Sequence, residues 1–171
     1  MIIYNKIRQI YSENDCQTQK IIEFFRKIPD ENIDNKKSKV FLKKDLIHIE
    51  LFSKPDRCYP MEILIGINED KHRIFFFVGH EYVFDYDNFS EENDLLEILY
   101  ELESIFKSNI EVREYYIGTD LYKNVILCDK FLKEDGSIID FVDSYKTLWS
   151  WKKKKVVIKK KYFKPWIPDN E

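Results

Sequence analysis

The sequence predicts an α+β fold: a single domain with a mostly antiparallel, meander-like sheet and about three helices packed on it. Three observations lead to this prediction. Short segments of alternating apolar residues follow one another with turn residues between them, as in antiparallel sheets. Other segments carry apolar residues at helical spacing. The 171 residues include only 4 glycines and 5 prolines, so no linker is visible and residues 1–171 are expected to form one domain.

The N-terminal part predicts one clear helix. Apolar residues recur at helical spacing within Cys16 to Ile28, and Pro29 ends the run. Residues 3–11 fit either a helical stripe or a short strand, and the pattern leaves both open. Residues 30–39 are polar and charged, which is typical of a loop.

The next segments predict a run of antiparallel strands. Their alternating residues place strands at 40–42, 46–52, 61–68 and 73–84. Asn68 to Lys71 predicts a hairpin turn, and Gly79 is expected to form a bulge within the last of these strands. Beyond Gly79, aromatic and acidic residues alternate, so Tyr86 and Asp85 are expected on opposite faces.

The second half begins with the strongest helical pattern. Ser90 can cap this helix, acids at its start favour its positive end, and Lys107 follows it. Two further strands are predicted at 110–117 and 124–131, and a third helix at 138–149. A last edge strand is predicted at 155–163, and residues 164–171 allow a loose tail.

The charge is sorted along the chain, although the net charge is only −3. No lysine or arginine occurs in the 33 residues between Arg73 and Lys107, and this stretch carries nine carboxylates. Ordinary exposed helices mix both signs to gain ion pairs one turn apart, but this one does not. A one-signed face with aromatic residues nearby predicts a surface that captures a basic protein. The residues expected in this partner-binding surface are Asp85, Tyr86, Asp87, Phe89, Glu91, Glu92, Glu97 and Glu101.

The lysines near the C-terminus form the opposite block. Eight of them lie between Lys152 and Lys164, interleaved with aromatic residues. Such a segment can hold phosphates and stack bases, which would make the protein a nucleic-acid-binding accessory module. The favoured interpretation is an edge strand that lysines protect against aggregation, because half of residues 156–162 is apolar. A nucleic-acid partner is therefore not expected.

No metal site or cofactor is predicted. His48 and His80 could be neighbours on strands, but the spacing provides no third ligand. The acidic run from Asp85 to Glu92 lacks the oxygen ligand, glycine and glutamate that a calcium loop of this type requires. Three widely spaced cysteines predict neither a disulfide framework nor a zinc site.

One catalytic spelling does occur, and it supplies an alternative function. Pro55-Asp56 followed by Glu69-Asp70-Lys71 matches the PD-(D/E)xK pattern of metal-dependent nucleases, with Asp56 and Glu69 as metal ligands and Lys71 orienting water. The pattern requires its Glu-x-Lys on a strand of the sheet, but here these residues fall in predicted turns. A protein that is not an enzyme is therefore favoured.

The location is expected to be cytoplasmic. Residues 1–11 contain no apolar stretch of the kind found in signal peptides. The longest apolar run, Ile74 to Gly79, is too short to span a membrane.

The pattern of residues 40–130 resembles small immunity proteins of bacterial polymorphic toxin and contact-dependent growth inhibition systems. The resemblance rests on five short segments: His48-Ile-Glu-Leu, Met61-Glu-Ile-Leu-Ile, the apolar and acidic run that begins at Ile74, the acidic helix, and Ile110-Glu-Val-Arg-Glu-Tyr-Tyr-Ile-Gly. Asp143-Ser-Tyr-Lys and Lys164-Pro-Trp-Ile also look like endings of such chains. The resemblance implies a protein that binds and neutralises a cognate toxin domain, often a basic nuclease, without catalysis of its own.

Overall fold

The computed structural model describes residues 1–11, 16–54, 57–66, 73–79, 81–87, 92–132, 138–143 and 156–168. For residues 81–84, 87, 92, 122, 131–132 and 138–143 this description covers the backbone. Within these ranges the chain forms three α-helices and two antiparallel sheets, which confirms the predicted α+β class.

The first two helices lie at the N-terminus. Helix α1 spans Ile2–Ile10 and buries Ile3, Tyr4 and Ile7, which settles the open choice at residues 3–11 in favour of a helix. Helix α2 spans Cys16–Phe24 and continues into a 3-10 turn at Phe25–Lys27. A second 3-10 turn, Asp30–Asn32, follows Pro29.

The first sheet is a five-stranded meander in chain order. Its strands are β1 Lys39–Lys43, β2 Leu46–Leu51, β3 Met61–Gly66, β4 Arg73–Val78 and β5 Glu81–Asp87. The side chains of β2, β3 and β4 alternate between buried and half-buried. The strands thus have an inner face that packs into the core and an outer face that does not.

The predicted bulge at Gly79 is wrong. Gly79 lies in the turn between two separate strands, with Val78 paired to Glu81. Its φ of +66° suits a tight turn, and its amide donates a 2.7 Å hydrogen bond to the Pro60 carbonyl. The register shift of this hairpin lies instead between Phe76 and Phe77.

The second sheet has four strands in the order β8-β7-β6-β9. They are β6 Ile110–Ile117, β7 Asp120–Leu132, β8 Ile138–Asp143 and β9 Val156–Phe163. Helix α3, Glu92–Phe106, precedes them. The edge position of β9 confirms the predicted edge strand.

The predicted third helix is wrong over Ile138–Asp143, which forms β8 and pairs antiparallel with β7. A short apolar run fits both a helical and an extended period, and the long strand β7 offers a partner that stabilises the extended form. Residues 144–149 of that predicted helix lie outside the described residues, as does the hairpin turn predicted at 68–71.

One core joins the helices and the inner faces of both sheets. Its members include Ile22 of α2, Ile63 of β3, Ile98 of α3 and Ile126 of β7. Trp166 also belongs to this core and is 1% exposed. Residues 164–168 are therefore not a loose tail, because burying the apolar surface of Trp166 and Ile167 stabilises this segment against the core.

Candidate functional site

The candidate site lies on the side of helix α3 that faces away from the core. Five of its residues are almost fully buried: Leu95, Ile98, Leu102, Ile105 and Phe106. Phe106 anchors the helix between Phe76 of the inner sheet face and Phe24 of α2, with ring centroids 5.9 and 5.2 Å away. With this stripe fixed in the core, the remaining positions of the helix face away from it.

A tyrosine and two glutamates meet where this flank approaches β5. Glu97 and Glu101 lie one turn apart on α3, so their side chains are neighbours. Tyr86 of β5 is half-buried against the core, and its hydroxyl lies within hydrogen-bonding reach of both carboxylates. The hydroxyl and the two acids therefore lie close together at the boundary between helix and sheet.

The surroundings disfavour ionisation of two members of this cluster, Tyr86 and Glu101. Burial raises the pKa of Tyr86 far above its usual range, and the negative charges of Glu101 and Glu97 raise it further. Burial also raises the pKa of Glu101, while the hydrogen bond from Tyr86 opposes that rise. One oxygen of Glu101, Oε2, is buried and accepts no hydrogen bond in the part of the chain that the structure describes.

The acids of α3 differ sharply in their cationic partners. Glu103 pairs with Lys107 at 2.6 Å and with Lys27 at 2.7 Å, and these contacts lower its pKa. Across the described ranges, by contrast, no lysine or arginine forms an ion pair with Asp94, Glu97 or Glu101. The negative charge of this helix therefore stays uncompensated on one flank only.

Two large apolar side chains lie on the same exposed part of the helix. Leu96 is 59% exposed and Tyr100, one turn later, is 73% exposed. Glu97 and Glu101 each follow one of them directly in the sequence, so the acids border the apolar pair. We call Leu96, Glu97, Tyr100 and Glu101 the α3 surface. An apolar pair beside one-signed charge suits contact with a protein that carries basic and apolar groups.

The structure divides the predicted partner-binding residues. Tyr86 faces the core side with Ile74, whereas Asp85 pairs with Phe75 and is exposed on the outer face. Asp85 therefore lies on the other side of the sheet from the α3 surface. Asp87 and Glu92 are described by their backbone, while Phe89 and Glu91, and the predicted cap Ser90, lie outside the described residues.

Leu96 is the member of the α3 surface that the predicted site lacked. The apolar stripe of the helix runs through Leu95, Ile98, Leu99 and Leu102, so Leu96 falls on the opposite side together with Tyr100. An apolar residue that lies outside the stripe and one turn from an aromatic residue indicates an exposed apolar pair, so the sequence contained a signal for Leu96.

The lysines of β9 are engaged by the neighbouring strand β6. Lys160 contacts Glu111 at 2.9 Å, and Lys161 contacts Glu114 at 2.6 Å. Lys159 lies over the ring of Tyr116, 4.5 Å from its centroid. The Arg113 and Lys160 contacts lower the pKa of Glu111 to about 2. Lys160 and Lys161 of the predicted basic patch are thus paired with carboxylates, and Lys152–Lys155 lie outside the described residues.

A cavity of about 540 Å³ opens beside the same strands. Its lining includes Leu127, Tyr162 and Phe163 together with the carboxylates Glu111 and Asp129. Both oxygens of Asp129 accept 2.8 Å hydrogen bonds from Asn109, and Glu111 is held by Arg113 and Lys160. Because the Arg113 and Lys160 contacts lower the pKa of Glu111, this carboxylate is a weaker base than an ordinary glutamate.

Most residues of the other candidate sites cannot be placed. Asp56, Glu69 and Lys71, the residues of the nuclease pattern, lie outside the described residues, and so does His80. His48 stacks on Phe41 with ring centroids 4.9 Å apart. Among the residues that can be described, no group of three or more histidines, cysteines or carboxylates is placed to hold a metal ion.

No protein-family model, curated protein or solved structure matches this chain. No helix within the described part of the chain is long and apolar enough to cross a membrane.

Proposed function

We propose that this protein is a bacterial immunity protein that binds and neutralises a basic toxin domain in the cytoplasm. In this proposal it has no catalysis of its own and needs no cofactor. The α3 surface makes the contact, and its negative charge steers the toxin into place. A nuclease domain is the kind of toxin that fits best, because a groove that binds nucleic acid is itself basic.

The observation that carries this proposal is the buried, unpaired Oε2 of Glu101. A buried acceptor without a partner costs about 1–3 kcal/mol, and more when the group is charged. A lysine or arginine from another protein can pair with the exposed carboxylate of Glu97 and offset the charge of the neighbouring Glu101, without direct access to its buried Oε2. Part of the energetic penalty in the free protein would then be relieved in the complex.

Leu96 and Tyr100 supply the apolar part of the same contact. Exposed tyrosines contribute strongly to interfaces because a large rigid ring is buried at low entropic cost. Tyr86 acts indirectly, as a positioning residue that holds Glu97 and Glu101 together. The apolar pair therefore supports affinity, and the acids support the rate of association and the choice of partner.

The lysine contacts of β9 favour this proposal over a nucleic-acid-binding module. The described lysines 159–161 already interact with Glu111, Glu114 and Tyr116. By comparison, Glu97 and Glu101 have no described cationic partner, so they offer the more available charge.

The experiment combines a growth assay with binding kinetics. The proposal expects a toxin gene beside the gene for this protein, and the domain encoded there is expressed with wild-type protein or with Glu97→Lys. We expect wild type to restore growth and Glu97→Lys to fail. Association of the purified pair should slow about tenfold or more between low and physiological salt. The matched control is Glu31→Lys, the same charge change at an exposed acid outside α3.

Aromatic variants test the anchor separately from the charge. Tyr100→Ala should weaken binding by about 2 kcal/mol or more, chiefly through faster dissociation. Tyr162→Ala removes a comparably exposed ring on β9 and should leave binding unchanged. Failure of wild type to protect, or binding that neither salt nor Glu97→Lys changes, rules out the proposed function.

A further inference from the structure

The cavity of about 540 Å³ lies on the outer face of the second sheet. Ile126 and Cys128 of β7 belong to the core, so Leu127 and Asp129, which alternate with them, face the opposite side. Both of these outward residues line the cavity. Because α3 packs on the core side of this sheet, the cavity lies across the sheet from that helix. Small-molecule sites commonly have a volume of this order.

Apolar side chains form much of the lining. Leu127 lies on β7, while Tyr162 and Phe163 lie on β9. Phe163 packs against the core and its ring contacts that of Tyr59, with centroids 4.9 Å apart, which fixes this part of the wall. Tyr162 is 69% exposed, so a bound molecule can still cover much of its ring. The lining therefore offers apolar surface against which a ligand can bury an apolar group.

Four charged side chains also line the cavity, and two of them are paired with each other. Glu111 contacts Arg113 at 2.7 Å. The other two, Asp129 and Lys164, form no ion pair with any residue that the structure describes. Both oxygens of Asp129 accept hydrogen bonds from neutral groups of Asn109, so the carboxylate is oriented while its charge stays uncompensated. The cavity thus carries one unpaired negative group and one unpaired positive group.

The strand register separates these two groups. Ile110 of β6 pairs with Cys128 of β7 on one side and with Phe163 of β9 on the other. Asp129 and Lys164 are the next residues along their strands, so their backbones lie two strand spacings apart, about 10 Å. A hydrogen bond of about 3 Å at each end leaves a few ångströms for the ligand itself. An ammonium and a carboxylate on one carbon atom fit that gap.

We propose that this cavity binds a free α-amino acid with a large apolar side chain. The ammonium group of the ligand donates hydrogen bonds to the carboxylate of Asp129. The carboxylate of the ligand accepts hydrogen bonds from the ammonium group of Lys164. The apolar side chain packs against Leu127 and the ring of Tyr162, where it is removed from water.

The two unpaired charges select this class of ligand over other occupants. An anion such as phosphate satisfies Lys164 but is repelled by Asp129, and a simple amine meets the reverse problem. A polypeptide segment carries neither terminal charge within its chain, so a docking loop of another protein would leave both groups unpaired. The inference does not depend on the proposed function, because the cavity shares no residue with the α3 surface.

Isothermal titration calorimetry of the full chain with L-phenylalanine tests the ligand class. We expect saturable binding at one site per chain, and L-leucine should bind as well. Phenethylamine lacks the carboxylate, phenylpropionate lacks the ammonium group, and glycine lacks the side chain. Each of these three should bind more weakly by about tenfold or more, because each leaves part of the site unsatisfied.

Two variants test the assigned residues. Asp129→Asn and Lys164→Gln each remove one charge, and each should weaken L-phenylalanine binding about tenfold or more. Asp129→Asn should not weaken the binding of phenylpropionate, because that molecule has no ammonium group to lose a partner. Asp120→Asn, at the other end of β7, and Lys43→Gln, on β1, are matched controls that should leave binding unchanged.

Denaturation curves verify that the variants remain folded. Wild type that shows no saturable binding of either apolar amino acid overturns the proposal. Equal affinity for L-phenylalanine and for the analogues that lack one charge overturns it as well, and so does binding that neither Asp129→Asn nor Lys164→Gln weakens.

Discussion

The side-chain amide of Asn32 donates a 2.9 Å hydrogen bond to the carbonyl oxygen of Trp166, 134 residues further along the chain. The indole nitrogen of Trp166 donates in turn to the carbonyl oxygen of Tyr59 at 2.8 Å. The amide of Ile167 donates to the carbonyl oxygen of Phe106 at the end of α3. The C-terminal segment thus joins the first sheet to the helix that carries the α3 surface.

Trp166→Ala should therefore destabilise the whole protein. The substitution removes a side chain that is 1% exposed and leaves a cavity, for which about 3–5 kcal/mol is typical. Chemical denaturation followed by circular dichroism measures the change. Tyr162→Ala, four residues earlier and 69% exposed, should alter the free energy of unfolding by less than about 0.5 kcal/mol. Equal effects of the two variants would contradict the buried position of Trp166.

Two glutamates of α3 should respond to pH in opposite directions. Burial raises the pKa of Glu101 above its ordinary value of 4.5, so the folded protein holds this proton more firmly than the unfolded chain. Its contribution to stability is present below pH 4.5 and is lost as pH rises through the folded pKa. Glu101→Gln removes this loss, so the variant should gain stability relative to wild type as pH rises.

Glu103 provides the matched comparison on the same helix. Contacts with Lys107 and Lys27 lower its pKa below 4.5, so its contribution is present above that pH and is lost as pH falls through the folded pKa. Glu103→Gln should therefore be less stable than wild type at neutral pH, with the difference fading in acid. Urea denaturation of the three proteins across this pH range measures both trends. Curves of the same sign for the two variants would exclude this assignment.

The cross-strand contacts of β9 predict that nucleic-acid binding can be created. In Glu111→Gln/Glu114→Gln, Lys160 and Lys161 lose the carboxylates that now hold them. The freed lysines should then bind double-stranded DNA weakly and non-specifically. The salt dependence of log affinity should steepen by about 0.9 for each phosphate newly neutralised. A gel shift at low salt compares the variant with wild type, and equal binding by both would show that these glutamates do not restrain the lysines.

Local patterns predicted most of the fold, because most elements are specified by nearby residues. The apolar stripe of α3 can be recognised within a few helical turns of sequence. The alternation of β2 and β3 can be recognised within a few residues. The wrong predictions concern segments whose structure depends on contacts with residues far away in the sequence. Ile138–Asp143 is extended because it pairs with β7. Trp166 is held in the core by hydrogen bonds with Asn32 and Tyr59.

The candidate site was predictable in its charge but not in its geometry. The sequence showed that lysine and arginine are missing around Glu97 and Glu101. Alternation also predicted that Asp85 and Tyr86 face opposite ways, but only the packing of α3 shows which face the site occupies.

Two glycines with the same backbone conformation separate strain from steric clash. Gly79 and Gly118 both have a φ of +66°, where a side chain costs about 1–2 kcal/mol. At Gly118 an added Cβ would meet no atom within 4 Å, so Gly118→Ala should show the backbone cost alone. At Gly79 the same atom would lie 2.8 Å from Cε1 of Tyr59, which packs against the core. Gly79→Ala should therefore destabilise the protein by about 1–3 kcal/mol more than Gly118→Ala, as is typical of overpacked sites.

Urea denaturation measures the free energy of unfolding of both variants. Truncating the ring in Gly79→Ala/Tyr59→Ala should bring the effect of Gly79→Ala, measured against Tyr59→Ala, down to that of Gly118→Ala. A cost at Gly79 that persists without the ring would place the penalty in the β4–β5 turn itself.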